Sequence, residues 1–108
     1  MEEALCDYLA LSYSTKYTSN QTDRIFNWDG HNVFWPGREA TSTKNYQNLS
    51  FTGNIYTNTD LMVSCLREIL FNTSRATSDQ IVLEAFFSLQ NSSTYRDFAL
   101  MVLNADQM

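Results

Sequence analysis

Apolar residues recur at helical spacing at the start of the chain and again throughout its second half. At the start, this spacing predicts a helix from about Glu2 to Tyr13. Glu2 and Glu3 would lie in its first turn, where the helix dipole favours negative charge. Cys6 falls on the apolar side of this helix, so we expect its thiol to be buried as a small hydrophobic group.

A broad apolar stripe in the second half predicts a helix that begins near Thr59 and continues to about Phe71. Thr57 and Asp60 have the spacing of a capping box at its start. Cys65 lies within the stripe, and its thiol is also expected to be buried.

Two more helices are predicted toward the C-terminus. Thr77 and Gln80 form a second box-like start, and the apolar face that follows them extends to Leu89. A polar break then precedes a last helix from about Ser93, whose apolar face includes Phe98.

Between the first two of these helices, the apolar period changes to that of strands. The segment from Arg24 to Trp35 places two aromatic runs around the Asp-Gly pair at 29–30, which is typical of a tight type I′ turn. A two-residue turn would place Arg24 opposite Trp35 and would collect four large apolar side chains on one face: Phe26, Trp28, Val33 and Trp35. A three-residue turn would instead pair Ile25 with Val33 and divide the aromatic side chains between the two faces.

A second hairpin is predicted around Gly53-Asn54, after a polar loop over residues 38–47 that follows Pro36-Gly37. Two consecutive hairpins favour a four-stranded antiparallel sheet. The predicted fold class is therefore α+β, with a central antiparallel sheet formed by two hairpins and packed against the N-terminal and C-terminal helices. Residues 1–108 are expected to form one domain, because the length is near the common domain size.

Charge and composition narrow the partners and the compartment. Twelve acidic and seven basic residues give a net charge of -5, which argues against nucleic acid and fits either plain solubility or a basic partner protein. The acidic N-terminus is unlike a secretion signal, and no apolar run has the length of a membrane span, so we expect no membrane association. Two cysteines without a spacing signature favour a reducing compartment, so the predicted location is cytoplasmic.

Catalytic motifs are scarce in the sequence. His31 is the single histidine, and no nucleophile can be placed beside it from the spacing of the chain. The three glycines do not have the spacing of a phosphate-binding loop. Neither cysteine has a second Cys or His at the spacing of a metal site. Glu68, Glu84 and Asp97 fall on the polar sides of predicted helices, where solvent exposure is the ordinary explanation. We therefore expect a protein that is not an enzyme and that holds no cofactor and no metal.

Surface recognition is the remaining function class. In size and charge, the chain is similar to bacterial immunity proteins, antitoxins and phage-encoded inhibitors. That resemblance implies an acidic protein that blocks a toxic enzyme, such as a nuclease, by covering its cationic substrate site. The predicted partner-binding residues combine carboxylates with aromatic anchors: Asp23, Trp28, Asp29, Glu39, Tyr46 and Asp60.

Two other functions remain open from the sequence. The first is a small-ligand-binding protein or a hydrolytic enzyme that uses His31. The second is an assembly or structural subunit in which aromatic side chains bury a symmetric interface. The oligomeric state is not determined by the sequence.

Overall fold

Four helices make up most of the part of the chain that the structure describes, which comprises residues 2–17, 24–25, 38–43, 47, 58–90 and 93–107 of a computed structural model. In chain order the elements are α1 (Glu2–Thr15), β1 (Arg24–Ile25), β2 (Arg38–Glu39), α2 (Thr59–Asn72), α3 (Arg75–Phe87) and α4 (Tyr95–Asp106). The described part is therefore mostly helical, with a small antiparallel pair of strands.

The helices share one hydrophobic core. Helix α1 packs against α2, α2 against α3, and α3 against α4. Its centre is almost completely hidden from solvent and contains Tyr8, Leu11, Leu66 and Val82. Helix α4 contributes the buried side chain of Phe98 to the same core. Ile25 of β1 belongs to the same core. The described elements thus form a single compact domain, in which each fully buried large aliphatic side chain contributes about 2 kcal/mol of transfer free energy.

The predicted helix positions are confirmed, and the errors lie in how the helices begin. Helix α3 begins with Ser74 as its N-cap, because the Ser74 hydroxyl accepts a hydrogen bond from the Thr77 backbone N–H. The predicted start at Thr77 is therefore wrong. Helix α2 begins at Thr59, as predicted, with Asn58 at the N-cap position. The predicted capping residue Thr57 lies outside the described residues. Helix α4 begins with a capping box between Thr94 and Asp97.

The described strand pair is one that neither predicted hairpin includes, because Arg24 lies opposite Glu39 and Ile25 lies opposite Arg38. The predicted hairpin partners Trp35 and Val33 lie outside the described residues, so both registers stay predictions. Arg38 and Glu39 also fall inside the predicted loop over 38–47, so that prediction is wrong at these positions. Arg38 also forms an ion pair with the buried carboxylate of Asp7 on α1, a long-range contact that strand periodicity does not reveal. The predicted turn at 29–30 and the second hairpin around 53–54 lie outside the described residues.

None of the helices in the described ranges is both long enough and apolar enough to cross a lipid bilayer.

Both cysteines are free and exposed, which corrects the prediction of buried thiols. On α1 the inward positions are taken by Asp7, Tyr8 and Leu11, so Cys6 faces outward. On α2 they are taken by Met62, Val63 and Leu66, among others, so Cys65 faces outward as well.

Although Cys65 is exposed, neighbouring protein atoms remove part of the water around its thiol, and this desolvation raises the pKa of the thiol, followed by the negative charge of Glu68. Less thiolate is therefore present near pH 8 than in an unfolded chain. In a Cys6→Ser variant, we expect iodoacetamide to modify Cys65 several-fold more slowly in the native state than in urea. The ratio of the rate in urea to the native rate should fall as the pH rises. Equal rates in the two states would contradict this expectation.

Candidate functional site

Two of the predicted partner-binding residues, Glu39 and Asp60, line the same surface depression. Its volume is about 340 Å³, and its remaining lining residues carry hydroxyl groups: Thr41, Ser42 and Thr43. We call it the Glu39 depression. Two carboxylates and three hydroxyl groups form a wall rich in hydrogen-bond acceptors, which suits ammonium and guanidinium groups.

Glu39 is positioned by the strand pair and by the ion pair beside it. The neighbouring Arg38 donates from Nε to Asp7 Oδ2 at 2.8 Å and from Nη2 to Asp7 Oδ1 at 2.7 Å. This two-bond geometry fixes the orientation of the guanidinium and fastens β2 to α1. Arg24 lies across the strand pair, with its Nη2 atom 3.6 Å from the Glu39 carboxylate. Because Glu39 is exposed, this outer ion pair contributes little to stability.

Asp60 is positioned by the first turn of α2, where the helix dipole favours a negative charge. The segment after β2 approaches the same helix, because the Ser42 backbone N–H donates to the Ser64 hydroxyl at 3.2 Å. Ala40, which lies between Arg38 and Ser42 in the chain, is completely buried. The Ser42–Ser64 hydrogen bond and the burial of Ala40 thus hold Glu39 close to α2, which carries Asp60.

Negative charge extends beyond the Glu39 depression to the beginnings of α1 and α4. The pKa of Tyr95 is raised by burial and, to a smaller extent, by the charges of Glu3 and Asp60. Glu3 of α1 and Asp60 of α2 therefore both act on the Tyr95 hydroxyl, so carboxylates of two helices contribute negative charge near the beginning of α4. A negative region of this kind attracts a basic protein during diffusional encounter.

A partly buried polar network joins helices α1 and α3. Tyr8 donates to Asp79 Oδ1 at 2.7 Å, and Ser12 donates to the same oxygen at 2.6 Å. Because the only hydroxyl proton of Tyr8 goes to Asp79, the Ser78 hydroxyl donates to the Tyr8 oxygen, 2.6 Å away. Arg75 Nε donates to the Ser12 carbonyl at 3.0 Å. The network joins α1 to α3 across the core.

Sequence reasoning did not identify Asp7 or this network. A signal was present, because Asp7, Ser12 and Ser78 share helix faces with buried apolar residues. A carboxylate on the apolar face of a helix requires a partner, since an unpaired buried charge is strongly unfavourable. No partner was predicted for Asp7, although its place on the apolar face was the signal that one is needed.

The other predicted contact residues, Asp23, Trp28, Asp29 and Tyr46, lie outside the described residues, as does His31. Within the described ranges, no group of three or more His, Cys, Asp or Glu side chains has the arrangement of a metal site. The two carboxylates make the Glu39 depression chemically suited to cationic side chains.

Comparison of the chain with protein-family models, with curated proteins and with solved structures found no match.

Proposed function

We propose that this protein is an acidic inhibitor of the immunity or antitoxin type, which binds a basic toxic enzyme such as a nuclease and covers its active site. The observation that carries the proposal is the convergence of Glu39 and Asp60 on one depression. Both residues were predicted as contacts because they are carboxylates near the predicted hairpins, and they come from a strand and a helix that are separate in the sequence. Their convergence supports a common binding surface.

The mechanism is electrostatic and steric. In an enzyme that acts on nucleic acid, Lys and Arg side chains line the substrate site because they neutralise phosphates. The carboxylates of Glu39 and Asp60 take the place of two phosphates, and the hydroxyl groups between them accept further N–H bonds. The body of the inhibitor then prevents the substrate from entering. Trp28 and Tyr46 are the proposed aromatic anchors, while Asp23 and Asp29 add charge around them.

The contacts that hold β2 in place also support the binding of a partner protein. The Arg38–Asp7 pair and the strand pairing hold β2 before any partner arrives. A surface that is already ordered loses less conformational entropy on binding, which favours affinity.

The test uses the products of the genes that flank this one, each purified and assayed for nuclease activity with and without the inhibitor. The expected result is that one product is a basic enzyme that this protein binds and inhibits, with an association rate that falls at least tenfold between about 50 and 500 mM salt. The isosteric Glu39→Gln/Asp60→Asn variant is expected to associate roughly tenfold more slowly.

The matched control keeps both charges at the same two positions. Glu39→Asp/Asp60→Glu is expected to retain the association rate within about threefold, because steering depends on charge more than on side-chain length. A flanking nuclease that is neither bound nor inhibited, or an association rate indifferent to salt, would refute the proposal. Equal loss in the neutral variant and the charge-retaining variant would refute the electrostatic mechanism.

A further inference from the structure

A second surface feature lies at the opposite end of α2 from Asp60. It is a groove of about 340 Å³ between the end of α2, the middle of α3 and the end of α4. We call it the α2–α4 groove. Its floor is formed by four aliphatic side chains: Ile69, Ile81, Val102 and Leu103. Leu103 is 60% exposed, so the floor continues outward onto the open face of α4.

Carboxylates surround this apolar floor. Glu68 and Asp106 line the α2–α4 groove itself. A smaller depression of about 210 Å³ shares Ile81 and Asp106 with it and adds Glu84. Arg67 lies beside Glu68, with its Nη1 atom 3.9 Å from the carboxylate and its guanidinium over the Phe71 ring. The described lining residues of both depressions include three carboxylates and no lysine or arginine, so the rim is negative.

Helix ends add to this negative potential. Helix α2 ends at Asn72 and helix α4 ends at Asp106, both of which line the α2–α4 groove. The C-terminal end of a helix carries partial negative charge, so carboxylates there are unfavourable and basic residues are favourable. Neither helix has a basic residue in its last turn. The carboxylate of Asp106 therefore does not stabilise its own helix, and it adds to the negative potential of the groove.

We propose that the α2–α4 groove binds a basic amphipathic segment of a partner protein. Apolar side chains of that segment lie on Ile81 and Leu103, and its Lys or Arg side chains reach Glu68, Glu84 and Asp106. Charge complementarity selects this occupant, because an apolar floor with an acidic rim matches an apolar stripe with basic flanks. The proposal is independent of the inhibitor function, since the two surfaces share no lining residue and their nearest α2 residues, Asp60 and Glu68, lie about 12 Å apart along the helix axis.

The probe is a synthetic helical peptide of about 14 residues, with Leu along one face and Lys on the other. We expect saturable binding of one peptide per chain by calorimetry. Glu84→Lys/Asp106→Lys is expected to raise the Kd at least tenfold, whereas Glu39→Lys/Asp60→Lys, with the same change in net charge, should change it less than twofold. Leu103→Ser is expected to raise the Kd about fivefold, because it removes part of the apolar floor.

The Glu84→Lys/Asp106→Lys variant is expected to remain folded, so a higher Kd would report the loss of the carboxylates. Removing carboxylates near helix C-terminal ends is expected to leave the thermal unfolding midpoint unchanged or to raise it by about 2 °C. A peptide with Glu in place of Lys is expected not to bind.

Four outcomes would overturn the proposal. They are the absence of peptide binding, equal binding of the Leu/Glu peptide, equal weakening by both charge-reversal variants, and self-association in sedimentation that Glu84→Lys/Asp106→Lys abolishes. The last outcome would assign the groove to a second copy of the chain. Failure here leaves the flanking-enzyme test unaffected, because that test alters only Glu39 and Asp60.

Discussion

Replacing Arg38 with methionine is expected to lower the free energy of unfolding by about 3 kcal/mol or more. The Asp7 side chain is only 3% exposed and receives two hydrogen bonds from Arg38, so the variant would leave a carboxylate buried without its counter-ion. Methionine preserves the aliphatic length of the side chain, and the loss is therefore one of charge pairing rather than of packing. Urea-induced unfolding followed by circular dichroism measures the effect.

Two further variants define the origin of this effect. Asp7→Leu combined with Arg38→Met is expected to recover most of the loss, because replacing both members of a buried pair removes the uncompensated charge. Arg24→Met is the matched control. Arg24 belongs to the neighbouring strand and pairs with the exposed Glu39 at 3.6 Å, so its loss should be below about 1 kcal/mol. Equal losses for Arg38→Met and Arg24→Met would show that the buried pair does not hold β2.

Replacing Tyr8 with phenylalanine is expected to cost about 2 kcal/mol near pH 8. The variant removes the acceptor of the fully buried Ser78 hydroxyl and one of the two donors to Asp79 Oδ1. Among the described residues, every buried polar side-chain atom has a hydrogen-bond partner in the native protein, so this change introduces an unsatisfied group. Urea-induced unfolding again provides the measurement.

The same variant has a characteristic pH dependence. Burial raises the pKa of Tyr8, so above about pH 10 the unfolded chain loses a proton that the native state retains. The contribution of Tyr8 to stability is therefore present below the ordinary tyrosine pKa and decreases as the pH rises above it. The difference in stability between the wild type and Tyr8→Phe should shrink between pH 9 and pH 11, by roughly 1 kcal/mol.

An exposed tyrosine provides the control for this experiment. Tyr17 is 65% exposed, and Tyr17→Phe is expected to change stability by less than about 0.5 kcal/mol at either pH. A Tyr8→Phe difference that is constant from pH 9 to pH 11 would contradict the assignment of the Tyr8 hydroxyl as a buried proton donor.

The candidate site could be predicted only in part. Glu39 and Asp60 were identified from charge, and the structure places them in one depression. The α2–α4 groove was not identified, because Glu68 and Glu84 were interpreted as ordinary solvent-exposed residues of single helices. Three helices line this groove, and the apolar periodicity of a single helix does not show how it packs against the other two.

The sequence by itself determined where the helices lie. Helix α1 begins at Glu2 and α2 at Thr59, as their apolar stripes predicted, because helical hydrogen bonds and face periodicity act over only a few residues. The tertiary structure alone decided the pairing of β1 with β2, the burial of Asp7 and the meeting of Glu39 with Asp60. Each of these depends on contacts between residues that are distant in the chain. A bidentate ion pair or a shared depression forms only when packing brings those residues within a few ångströms.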